Sequence, residues 1–128
     1  MFRNKFFWTF LLVSLSFFAP AIFAQEVQKI TITVGEASKD KFTLEPKEVT
    51  VRPGKVEFTL VNKGGENHNL RIKQGDKEVA RPLRLAEPGK SVKGDPVDLA
   101  AGEYEILCSY TSGGSHKDKG MVGKLIVK

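Results

Sequence analysis

The chain has 128 residues, 27% of them charged, and a formal net charge of +5. That size allows one domain with one core, and excludes a large two-domain enzyme or a Rossmann-type dehydrogenase. The positive excess is too small to argue by itself for nucleic acid or an anionic membrane surface.

The first 24 residues read as a secretory signal peptide. Arg3 and Lys5 come first, then an apolar run from Phe6 to Phe18 too short to span a membrane, then small residues ending at Ala24. Cleavage there leaves residues 25–128 and removes seven of the nine Phe residues. Losing Arg3 and Lys5 lowers the net charge from +5 to +3. No later apolar stretch is long enough to cross a bilayer, so no membrane insertion of the mature chain is expected.

Period-two patterning then runs down the chain. Ile30, Ile32 and Val34 alternate with Thr31 and Thr33, and a polar break follows from Gly35 to Lys41. Phe42 and Leu44 alternate, Pro46 interrupts, and Val49 and Val51 lead to the turn Arg52-Pro53-Gly54. Val56, Phe58 and Leu60 alternate up to the turn Asn62-Lys63-Gly64-Gly65, and Leu70 and Ile72 follow. Residues 78–99 are less regular, punctuated by prolines and glycines, with room for a short helix. Tyr104, Ile106 and Cys108 alternate again, and the chain closes with a β-rich run from Val122 to Val127. Short alternating runs with Gly and Pro punctuation predict an all-β sandwich or barrel. At typical strand and loop lengths the mature chain holds about seven to nine strands.

A single Cys in an exported chain cannot form an internal disulfide. Cys108 therefore reads as a ligand, a reactive thiol or an intermolecular bridge, or else as a small buried apolar residue. The mature part also holds His68, His116 and Met121. Alternate residues of a strand face the same way. His68 shares parity with Leu70 and Ile72, Cys108 with Tyr104 and Ile106, and Met121 with Leu125 and Val127. If those apolar residues face the core, three candidate ligands sit inward at strand ends. Singly, each residue has a plainer reading: a turn histidine, a solvated loop histidine, a core-filling methionine. Together, two imidazoles, a thiolate and a thioether are the donor set of a mononuclear type 1 copper site. Zinc can be held by Cys and two His, but Met is a poor zinc ligand.

The stretches VRPGKVEFTLVNKGGENHNL (51–70) and AGEYEILCS (101–109), with His116, Met121 and VGKLIV, resemble the cupredoxins, the plastocyanin- and azurin-like blue copper proteins. The resemblance covers most of the chain from Phe42 onward. It implies a Greek-key β-sandwich over residues 25–128, with His68, Cys108, His116 and Met121 holding one type 1 copper ion. It implies that Asn69 supports the site, its side chain bracing the two ligand loops and its backbone hydrogen-bonding the thiolate. It places His116 nearest the surface, as the electron exit. One departure is the seven-residue spacer from Ser109 to Ser115 between Cys108 and His116, which is longer than usual and lacks Pro.

The implied function is a small exported, periplasmic electron carrier that cycles Cu(II) and Cu(I). Lys117 and Lys119 read as solvated charges, and with Asp118 they suggest salt-sensitive docking on an acidic redox partner, the carrier itself being a monomer. The rivals are a copper-binding carrier or chaperone, for which an openable Gly-Ser loop would suit metal exchange, and a metal-free interaction module. Nothing points to an enzyme: no HExxH, P-loop or G-x-S-x-G is present, and no third group is recognisable beside a Cys–His pair.

Overall fold

The computed structural model describes residues 16, 18–21 and 24–128. Apart from those few positions, the leader expected over residues 1–24 lies outside the described residues. Among the described residues there are ten strands and no helix. In chain order they are β1 (Gln28–Ser38), β2 (Lys41–Glu45), β3 (Glu48–Val51), β4 (Gly54–Asn62) and β5 (His68–Gln74). They continue as β6 (Lys77–Ala86), β7 (Ser91–Lys93), β8 (Val97–Leu99), β9 (Gly102–Leu107) and β10 (Val122–Val127). The count exceeds the expected seven to nine because the stretch read as irregular, 78–99, is three strands. Two of those are only three residues long, too short to show a period.

One sheet runs β2-β1-β4-β7, with β8 also pairing β4, and the other runs β3-β10-β9-β5-β6. Pro46 lies between β2 and β3, where the chain leaves one sheet for the other. A proline has no N–H to give a ladder, so it belongs at such a break. The alternating rows read from the sequence are the buried ones. Ile32, Val34, Leu44, Val56, Phe58 and Leu60 of the first sheet meet Leu70, Ile72, Tyr104, Ile106, Leu125 and Val127 of the second in one core. Each fully buried Leu, Ile or Phe contributes about 1.5–3 kcal/mol, so this interior holds the two sheets face to face.

The register sets where the rows end. β1 and β4 are parallel, with Val34 opposite Asn62. The β1 row Ile30-Ile32-Val34 therefore finishes beside the β4 row Val56-Phe58-Leu60. The next residue of the same parity is polar in each row, Glu36 in β1 and Asn62 in β4. β1 thus continues to Ser38, through most of the stretch expected to be a polar break.

Candidate metal centre

Three donors converge at one end of the sandwich. His68 opens β5, Cys108 follows β9, and His116 ends the seven-residue loop. All three are completely buried. His68 Nδ1 lies 3.2 Å from His116 Nδ1, and Cys108 Sγ lies 3.8 and 3.6 Å from those two nitrogens. The centre of a triangle with those sides is about 2.1 Å from each corner, close to the roughly 2.0–2.3 Å that imidazole nitrogen and thiolate sulfur keep from a zinc-sized ion.

Hydrogen-bond partners assign the tautomers. His68 Nε2 meets Glu36 Oε1 at 2.5 Å. His116 Nε2 meets the Ser112 carbonyl at 3.0 Å and Glu66 Oε2 at 3.1 Å. Carboxylates and carbonyls only accept, so both Nε2 atoms carry the proton. Both Nδ1 atoms are then bare lone pairs facing each other, an arrangement that a cation between them satisfies. Burial lowers the His68 pKa, against the hydrogen bond and charge of Glu36, and so favours a neutral ring. Burial pushes the Cys108 thiol up, against the backbone N–H groups of Asn69 and Tyr110. The thiol proton therefore leaves in exchange for a cation rather than spontaneously. Two imidazoles and one thiolate in a three-cornered site fit a single copper ion.

Asn69 links the ligand segments. Its backbone N–H points at Cys108 Sγ at 3.5 Å. Its side chain donates to Ser109 Oγ at 2.9 Å and accepts from Ser109 N–H at 2.8 Å. Met121 is fully buried, and its backbone is tied to both neighbours: its carbonyl accepts from Cys108 N–H, and its N–H donates to the His116 carbonyl. Gly120 just before it has φ +111° and lies against the Phe42 carbonyl, where a side chain would not fit. Phe42 packs edge-on against both imidazoles, 4.8 Å from His116 and 6.2 Å from His68 between ring centroids.

The resemblance implied that His116 lies nearest the surface, and the structure buries it as fully as His68 and Cys108. The long spacer folds over it, and Ser112 and Glu66 occupy its Nε2 edge. The loop is held by His116 N–H on the Tyr110 carbonyl, Gly114 N–H on Thr111, and Ser112 Oγ on Glu66. Lys119 is engaged too: its Nζ donates to the Gly113 carbonyl at 2.6 Å and sits 4.8 Å above the Phe42 ring. Lys117 pairs with Glu105. Neither lysine is merely solvated.

Sequence reasoning missed Glu36, Phe42, Asn62, Glu66 and Ser112. Glu36 carried a usable signal, since it continues the inward parity of Ile32 and Val34. Asn62 carried the same signal on β4, and its amide holds the Glu66 and Ala86 carbonyls.

Known structures share this architecture. Reduced auracyanin from Roseiflexus castenholzii is similar with a TM-score of 0.63 and 23% identity, over 79% of this chain and 97% of that one. Auracyanin A from Chloroflexus aurantiacus, a "blue" copper protein, gives 0.58 and 20%, over 78% and 99%. Rusticyanin from Thiobacillus ferrooxidans gives 0.56 and 21%, over 79% and 78%. At these identities the likeness is one of fold. No curated protein matches the chain. The family model for the cupredoxin-like domain matches residues 6–127, nearly the whole sequence, and the chain belongs to that family.

Proposed function

We propose that the protein is an exported carrier of single electrons, in which His68, Cys108 and His116 would hold one copper ion and Met121 would add a weak thioether donor. The observation that carries this reading is the complete burial of the three donors beneath a hydrogen-bonded loop. An electron can cross such a cover, whereas a metal ion passed on to a partner needs an opening. Bound copper supplies a one-electron couple suited to soft sulfur and imidazole donors. The chain supplies the rest. Glu36 and the Ser112 carbonyl hold both rings with Nδ1 free, so the donors need no rearrangement when charge changes. Asn69 N–H steadies the sulfur, and Phe42 and the loop exclude water. His116 Nε2, bonded to the exposed Ser112, gives a hydrogen-bonded connection from the donors to the loop surface. Export to the periplasm, and docking of this face on the acidic patch of a redox partner, belong to the same reading.

The test is a Cu(II) titration followed by visible absorption and EPR, with Cys108→Ser as control. We expect a thiolate-to-copper charge-transfer band saturating at one equivalent and absent from the control. The loaded protein should exchange electrons reversibly while losing copper only slowly to a chelator. Rapid loss to the chelator would replace the electron carrier with a copper-delivery protein.

A further inference from the structure

Glu36 is an acidic residue on an inward-facing row. Its parity with Ile32 and Val34 turns its side chain toward the site end of the core, and only 16% of that side chain is exposed. Both carboxylate oxygens are engaged. Oε1 accepts from His68 Nε2 at 2.5 Å, and Oε2 accepts from Gly65 N–H at 2.7 Å. The pocket is built for it. Gly64 leaves the room, because a Cβ there would overlap Oε2. Asn62, by accepting from Gly64 N–H and donating to the Glu66 carbonyl, shapes the turn that presents Gly65.

The carboxylate facing the other imidazole is different. Glu66 is 40% exposed and shares His116 Nε2 with the Ser112 carbonyl, so water screens it. The two ligands thus have unequal support: a partly buried charge behind His68, and a neutral carbonyl plus a more exposed, screened charge behind His116.

We propose that Glu36 is the positioning residue of this site, fixing the His68 tautomer and biasing the bound copper toward Cu(II). The inference rests on copper binding at His68, Cys108 and His116. A carboxylate on the remote N–H of a metal-bound imidazole orients the ring and raises its basicity. A more basic, more negative ligand favours the higher charge on the metal. Gln does not reproduce both contacts, because one of the two oxygens that accept from His68 and Gly65 becomes an NH2 group, which cannot accept.

Two variants test this by different routes. Glu36→Gln removes the charge and keeps the size. Gly64→Ala keeps the charge and evicts the carboxylate. Asp98→Asn, on β8 opposite Lys55 near the start of β4, is the control for loss of one negative charge. Affinities for Cu(II) and Cu(I) are measured by chelator competition, the reduction potential by voltammetry, and the His68 tautomer in the metal-free protein by 15N NMR. Both variants should lose Cu(II) affinity by roughly 10–100-fold, with a smaller loss for Cu(I). Each tenfold change in the ratio raises the potential by about 59 mV. The Nε2–H tautomer of His68 should no longer be uniquely populated, and the control should match wild type. Unchanged potential and tautomer in either folded variant overturns the proposal, even if stability falls, because a merely structural glutamate would do only that. If Glu36→Gln does not fold, Gly64→Ala decides alone. A wild-type protein without the charge-transfer band overturns the copper reading and this one with it.

Discussion

Asn69 shows how a single side chain holds two segments that the chain separates widely. It is nearly fully buried, and it both donates to and accepts from Ser109, the residue after Cys108. Asn69→Ala leaves the Ser109 N–H without its partner inside the fold. Stranding a fully buried donor costs about 1–3 kcal/mol and a part-buried one less, so the metal-free variant should unfold at a modestly lower urea concentration and release copper faster when loaded. Equal midpoints would show that the two ligand segments do not depend on this bridge. At this scale the sequence was legible wherever a candidate ligand followed an apolar row. Parity with Leu70, and with Ile106, turned His68 and Cys108 inward on the page and in the structure. Glu36 obeys the same rule, yet it sits in a run of small and charged residues that looks like a loop. Period-two reasoning ends where hydrophobicity ends, although the strand does not.

The strands of the less regular stretch raise a different problem. In β6 the burial order does not alternate, and its pairing with β5 shifts register three times. A bulge moves later residues to the other face, so the alternation that reveals a strand is lost while the strand survives. The β5–β6 pair is fastened outside the core by Glu78, which accepts from Arg81 Nε at 2.9 Å and from Arg71 at 2.8 Å. The hydrogen bond from Arg81 and the charge of Arg71 hold its carboxyl below the ordinary 4.5. A depressed native value means that the unfolded chain binds the proton more readily. The stabilisation is therefore present above 4.5 and is lost as pH falls through the native value. Glu78→Gln should destabilise slightly near neutral pH, within the roughly 0–1 kcal/mol of an exposed pair. The gap from wild type in urea midpoint should close in acid and shrink in high salt. A gap independent of pH would assign the effect to packing rather than to charge.

Over the whole molecule, the site exists only in the folded state. Its donors come from the start of β5, the end of β9 and the end of a loop, so the unfolded chain places His68 far from Cys108 and His116. The apolar interior defines the end of the sandwich at which they meet, and the loop that covers His116 has no apolar pattern of its own. That is why the fold was legible and the buried position of His116 was not: the loop is held by carbonyls, Glu66 and Lys119 rather than by a hydrophobic row. A ligand that binds only the native state stabilises it by about 4 kcal/mol at a thousandfold excess over Kd. For a domain of this size each kcal/mol moves Tm by roughly 4 °C or more, so saturating copper should raise Tm by at least about 15 °C. Removing the metal with a chelator should return Tm to the metal-free value. Cys108→Ser, compared with its own metal-free form, should lose most of the rise, because one corner of the triangle no longer supplies a thiolate. An equal rise in that variant would mean that copper stabilises the protein from somewhere other than these three donors.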